Sequence, residues 1–192
     1  MTICSISAEN EVTVRNLLAI YARGVNAHAN CLAFADQGER EGIFEAASLF
    51  RTVARSEKIH AENHARVIRQ LGGEPKANVE RVEIRTTLEN LTTVLDEVTW
   101  KIDSIYPRLL EENGSSDNSA ARSLTWALEA DKEIARLLTE LIQQMRRGKA
   151  GRSRDTACAF YVRPVCGYVS RSPEPERCWA CEHFCTTFEA IH

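Results

Sequence analysis

The sequence predicts an all-α protein, an antiparallel four-helix bundle with a small cysteine-rich unit appended at its C-terminal end. Three observations carry this expectation. Residues 1–146 are rich in Ala, Leu, Glu and Arg and hold two prolines, Pro75 and Pro107, which is helical composition. Apolar residues recur at helical spacing through four stretches, 10–38, 42–71, 80–113 and 118–146. Five of the seven cysteines, Cys158, Cys166, Cys178, Cys181 and Cys185, fall within the last 35 residues, which marks that end as a different kind of structure.

Each stretch has its own punctuation. The first ends between Gly38 and Gly42, the second at Gly72-Gly73-Glu74-Pro75, and the third at Gly114-Ser115-Ser116-Asp117, all sound helix stops or starts. Helices of this length joined by short loops can cover their apolar faces only against one another, hence a bundle over 1–146. Residues 147–157 follow as a linker, and the basic cluster of Arg146, Arg147, Lys149, Arg152 and Arg154 reads as the solvated face of that joint. The remaining unit, 158–192, is too small to fold comfortably on its own core, so a cross-link is expected there.

Composition narrows the function classes. With 24 basic and 27 acidic side chains, a formal charge of −3, nothing points to nucleic acid. No apolar run approaches the ~18 residues of a membrane span. The start MTICSISAENEVTV lacks the basic, apolar and small-residue segments of a secretory signal, so a reducing cytoplasm is the expected location.

The helical part also repeats. A shift of 74 residues superimposes Asn16-Leu17 on Asn90-Leu91, Ala46-Ala47 on Ala120-Ala121, Lys58 on Lys132 and Ile68 on Ile142, as expected of a duplicated helix pair. Its most chemical string is Glu57-Lys58-Ile59-His60. Residues three apart share a helix face, so Glu57 and His60 present an oxygen and a nitrogen to one point, half of a metal site. A two-iron bundle needs such a pair from each of two helices and a single Glu from each of the other two. The shift pairs Glu57 with Asp131, His60 with Ile134 and Gly24 with Val98.

The stretch NLLAIYARGVNAHANCLAFADQGEREGIFEAASLFRTVARSEKIHAE resembles the first hairpin of a rubrerythrin, and LFRTVARSEKIHA resembles that family's second metal helix. The tail CAFYVRPVCGYVSRSPEPERCWACEHFCTTFEAI resembles the rubredoxin-like domain that follows. The resemblance implies a ferritin-like four-helix bundle followed by a small rubredoxin-like β/knuckle domain. It also implies peroxide reduction, an oxidative-stress function, by a di-iron centre re-reduced through the rubredoxin iron, often across a homodimer.

Carried over residue by residue, the family pattern is incomplete. Gly24 stands where the first helix supplies Glu; Glu57 and His60 are kept; Val98 and Lys101 stand where the third helix supplies two Glu; Asp131 and Ile134 stand where the fourth supplies Glu and His. Glu97 lies one residue off, about 100° around an ideal helix. A di-iron centre is therefore not expected. The residual bundle site is Glu57, His60 and Asp131, either holding a single metal or neutralised by Lys101 in a buried ion pair.

In the tail, the knuckle Cys178-Trp179-Ala180-Cys181 is intact, while Arg163 stands in place of the first knuckle's leading Cys and leaves Cys166. Zinc or iron on Cys166, Cys178 and Cys181 is expected, with Cys158, His183 or Cys185 as the fourth ligand. The expected function is a binding or structural relative with a degenerate centre; the alternative is an oxidoreductase on a remodelled metal site, with its redox partner unspecified. Elsewhere, His28 and His64 are expected to be exposed or capping, Trp100, Trp126, Tyr21 and Tyr106 to be core, and Cys31 to be a buried thiol.

Overall fold

The protein is described by a computed structural model over residues 8–80, 82–113, 119–148, 160–173, 178, 180–183 and 188–192. Four helical rods form the bundle. Helix α1 (Ala8–Arg40) turns through Gly42, at φ 71°, into α2 (Phe44–Gln70). The turn is tight because Gly38 lies against Ala47, where a Cβ would come within 3.2 Å of its backbone nitrogen. The third rod is α3 (Thr87–Trp100), one π-helical turn (Lys101–Ile105) and α4 (Tyr106–Asn113); the fourth is α5 (Ser119–Arg146).

Two features of the third rod depart from the periodicity. It begins at Thr87 rather than near residue 80, because the preceding segment finds its hydrogen bonds elsewhere. Asn26 on α1 donates to the Asn78 carbonyl (3.0 Å) and accepts from the Glu80 N–H (2.7 Å). Thr86 then starts the helix with a capping box, its hydroxyl accepting from the Glu89 N–H while the Glu89 carboxylate accepts from the Thr86 N–H. The second departure is the π turn, closed by the Tyr106 N–H on the Lys101 carbonyl. It lies just before Pro107, whose ring would crowd the carbonyl of Asp103 in a regular α-helix.

The apolar faces meet in two clusters. One includes Phe34, Phe50, Leu91, Ile134 and Leu138; the other includes Leu17, Ile68, Tyr106, Leu109 and Leu124. Along the rods, Asp131 falls between Ala127 of one cluster and Ile134 of the other, and Lys101 falls between Val98 and Tyr106 in the same way. A polar centre is thus sealed above and below by apolar packing.

The tail forms a three-stranded antiparallel sheet, β1 (Phe160–Val162) in the middle, β2 (Val169–Ser170) and β3 (Glu189–Ile191) on its edges. Val162 pairs with Val169 on one side and with Glu189 on the other. Phe160, Val162 and Val169 are fully buried within the first cluster of the bundle, so the sheet completes that core. Arg55 on α2 grips Glu189 with two hydrogen bonds (2.5 and 2.7 Å), and Arg171 reaches Glu45 (3.0 Å).

Two aromatic and histidine expectations change. Trp100 is 40% exposed, not core; it lies at the rim under the Arg23 guanidinium, 4.3 Å from the ring centroid. His64 is 1% exposed rather than capping, its Nδ1 2.7 Å from the Ser123 hydroxyl, so a helix–helix hydrogen bond accounts for its burial. His28 contacts the Ala54 carbonyl at 2.8 Å, and Cys31 is buried as expected. Among the described residues, no helix is long and apolar enough to cross a membrane.

Candidate metal centres

At the polar centre α2 contributes Glu57 and His60, the π turn Lys101, α4 Tyr106 and α5 Asp131, all 3% exposed or less. The Lys101 ammonium lies 2.6 Å from Glu57 Oε1 and 2.8 Å from Asp131 Oδ2, and Tyr106 donates its hydroxyl proton to Asp131 Oδ2 (2.7 Å). Glu57, His60 and Asp131 each offer a ligand atom within 4.8 Å of the others. The duplicated pair Glu57 and Asp131 therefore face each other, bridged by Lys101.

Gly24, Val98 and Ile134, where the resemblance leads one to look for ligands, can also be placed, as can Glu97. A Cβ on Gly24 would lie 3.5 Å from Glu57 Oε2, so that position borders the centre and supplies no side chain. Val98 and Ile134 are buried and apolar. Glu97 points outward to Arg23 at 2.8 Å, both side chains more than 40% exposed. A cavity of about 510 Å3 opens between α1 and α3, lined by Cys31, Val53, Val98 and Glu57.

The electrostatics follow from burial and the bridge. Burial alone would raise the Glu57 carboxyl, but the Lys101 ammonium and His60 outweigh it and hold its pKa down at about 2. Asp131 is raised, because its burial exceeds the help from Lys101 and Glu57 adds repulsion. Burial works against the Lys101 charge too, yet Asp131 and Glu57 push its pKa well above the usual lysine value. His64, one turn beyond His60, is pushed down to about 3 by burial and by repulsion from His60.

The second candidate centre is the tail knuckle. The sulfurs of Cys166, Cys178 and Cys181 lie within 4.8 Å of one another, with Cys166 Sγ 3.8 Å from Cys178 Sγ, all buried and unoxidised. Cys178 is the member favoured as thiolate, since the Cys166 and Cys181 thiols point at it, and Cys166 is pushed up correspondingly. This is a donor set for a metal ion, which would take the thiolates in place of their protons. Arg163 is 1% exposed and stacks its guanidinium over Phe188 at 4.2 Å, while its carbonyl still accepts the Gly167 N–H that shapes the knuckle turn. Of the expected fourth ligands, Cys158 and Cys185 lie outside the described residues. His183 is exposed, with Nδ1 2.8 Å from the Cys181 carbonyl and its ring edge-on to Trp126.

One contact was not anticipated. The knuckle docks on α2: Ser56 donates to the Gly167 carbonyl (2.6 Å) and Asn63 to the Val165 carbonyl (2.9 Å). Gly167 has φ 78°, and a Cβ there would lie 2.5 Å from His60 Nε2, so the knuckle backbone rests on a histidine of the bundle centre. The sequence signal was Gly167 directly after Cys166, a position that needs a left-handed backbone and close approach.

A ferritin-like bundle with a carboxylate–histidine centre, carrying a rubredoxin-like thiol knuckle, defines a class of metal-binding helical protein. The family model described as Rubrerythrin matches residues 25–144, and the chain belongs to the rubrerythrin family. It is 28% identical over 179 residues to rubrerythrin-2 of Clostridium acetobutylicum, covering 92% of this chain and 95% of that protein. It is 26% identical over 181 residues to nigerythrin of Nitratidesulfovibrio vulgaris, covering 93% and 86%. The fold is similar to the structure titled as the fully reduced, all-ferrous state of nigerythrin, with a TM-score of 0.80 at 24% identity over 93% of this chain and 86% of that one. A structure of the mixed-valent state of nigerythrin gives 0.79 at 22% identity, over 99% and 94%.

Proposed function

We propose that this chain is a rubrerythrin-family protein whose bundle has given up the two-metal redox centre and which serves as a binding or structural protein. One observation carries the reading: the Lys101 ammonium lies between Glu57 and Asp131, so the position that resemblance assigns to a metal-bridging carboxylate holds a cation instead. Gly24, Val98 and Ile134 supply no oxygen or nitrogen to replace what is lost. In the tail, a structural zinc or iron ion is held by Cys166, Cys178 and Cys181, completed by Cys158, His183 or Cys185. A cytoplasmic homodimer belongs to the same reading, and sedimentation of the purified chain tests the pairing.

A second reading is favoured by the docking of Gly167 on His60: an oxidoreductase that reduces peroxide at Glu57, His60 and Asp131, with electrons entering through the adjacent knuckle. Both readings meet in one experiment. Protein produced with iron and zinc available is assayed for metal content and for peroxide consumption with a reductant. Metal at the knuckle alone or with one further ion, and no turnover, is the expected result. Two irons in the bundle with peroxide turnover overturns the first reading, and turnover lost in His60→Ala establishes the second.

A further inference from the structure

One groove of the bundle carries chemistry that neither metal centre uses. It has a volume of about 510 Å3 and runs between α1 and α2. Tyr21, Val25 and His28 of α1 recur at steps of four and three, and Lys58, Glu62, Arg66 and Arg69 of α2 at steps of four, four and three, so each set lies along one helix edge. Between the two edges Ala61 and Ala65 are buried and small, and they leave an apolar floor. Two contacts fix the antiparallel register: His28 Nδ1 meets the Ala54 carbonyl at 2.8 Å, and a Cβ on Gly24 would lie 3.5 Å from that of Ala61. Lys58 and His28 therefore share one end of the groove, and Tyr21, Arg66 and Arg69 the other.

The cations of this groove are not neutralised within the protein. Along the same helix, Arg51 pairs with Glu39 (2.6 Å) and Arg55 with Glu189 (2.5 Å). Lys58, Arg66 and Arg69 are exposed, and none of them forms an ion pair among the described residues. Arg66 gives one guanidinium N–H to the Asn63 side chain at 3.0 Å, which steadies its fork. Glu62 is the one carboxylate among the described lining residues, so the groove is net positive on a chain whose formal charge is −3. Arginine forks take phosphate oxygens in pairs, and a lysine adds a point charge. A carbonyl can only accept, so His28 carries a proton on Nδ1, and the neutral ring keeps Nε2 as an acceptor.

We propose that this groove binds an elongated organic polyphosphate of the nucleoside triphosphate kind, its phosphates on Arg66 and Arg69 and its flat body along Val25, Ala61 and Ala65. Eleven residues separate Lys58 from Arg69, about 16 Å along a helix, so a single inorganic phosphate would use only one end. The apolar floor and the rings of Tyr21 and His28 suit an aromatic body, and His28 Nε2 can accept from an amino group on it. Glu62 opposes the phosphates and holds the affinity down. None of these side chains is a candidate ligand in either metal centre, so the inference goes beyond the proposed function and stands whether or not that reading holds.

The test is calorimetric titration of the full chain with ATP, in buffer with a chelator so that phosphate cannot bind through a metal ion. One ATP per chain is expected, held more tightly than tripolyphosphate or adenosine alone, with affinity falling as salt rises. Arg66→Gln and Arg69→Gln should each weaken binding roughly tenfold, the loss of a charge-assisted hydrogen bond, while Glu62→Gln should tighten it several-fold. All three positions are exposed, so helical circular dichroism and the urea midpoint should stay those of the parent. Lys132→Gln, on α5 and paired with Glu129, is the control and should bind unchanged. No saturable binding, an unchanged affinity in the two arginine variants, or an equal loss in Lys132→Gln overturns the inference. Tripolyphosphate binding as tightly as ATP overturns it too, because the apolar floor would then contribute nothing.

Discussion

Replacing Lys101 by Met keeps the length and apolar stem of the side chain and removes its charge. The ammonium sits 2.6 and 2.8 Å from two carboxylates, and at an effective dielectric near 20 each contact is worth roughly 6 kcal/mol of attraction. Most of that is offset by the cost of desolvating the ions, so the net quantity is what is lost when one member of a buried group is deleted: about 3–5 kcal/mol, because Glu57 and Asp131 are left facing each other unneutralised. Urea unfolding followed by helical circular dichroism, in buffer with a chelator, should show it. At a slope of about 2 kcal/mol per molar urea, the midpoint falls by about 1.5–2.5 M. Adding a divalent cation should restore part of the loss, which a pure packing defect would not allow. A midpoint within about 0.3 M of the parent would refute the claim that the ammonium neutralises this centre.

The same reasoning extends to three other positions. Gly167→Ala places a Cβ against His60 at a positive φ, so about 1–2 kcal/mol of backbone strain is added to a steric clash, and chemical denaturation should reveal a loss of at least that size. An unshifted midpoint would mean that the knuckle does not rest on α2. Cys178→Ser, or chelation of the parent, should lower the Tm by about 4–8 °C, equivalent to about 2 kcal/mol, if the three thiolates hold an ion; no change argues against one. His64 gives a pH signature. Its native pKa is about 3 against about 6.5 unfolded, so only the unfolded chain takes up that proton between those values, and its contribution is present above pH 6.5 and lost as the pH falls. The parent should lose roughly 1 kcal/mol per pH unit just below 6.5, and His64→Gln should flatten this slope. Glu57, at about 2, adds a further loss between pH 4.5 and 2, while the raised Asp131 works in the opposite sense.

The sequence by itself determined the helical rods, because a 3.6-residue apolar period has no other way to be buried, and it placed α1, α2 and α5 within a few residues of their ends. It also indicated that Glu57 and Asp131 face each other, since the duplication puts equivalent positions on facing helices, but left open whether a metal ion or the Lys101 ammonium lies between them. The start of the third rod depended on a partner distant in sequence: Asn26 satisfies the backbone near residue 80, so propensity there does not become helix. The local signal that was available, Thr86 and Glu89 as a capping box, marks the true start.

Only the tertiary structure decided how the tail meets the bundle. Phe160, Val162 and Val169 fill the same core as Phe50 and Ile134, and Gly167 lies against His60. Those contacts join residues a hundred positions apart, where no periodicity reaches. They also bring the Ser56 hydroxyl, which donates to the Gly167 carbonyl, and the knuckle backbone up against His60 Nε2. Spacing along a chain says which side chains share a face; which lone pair on that face is left over is known only when every neighbour has taken its hydrogen bond.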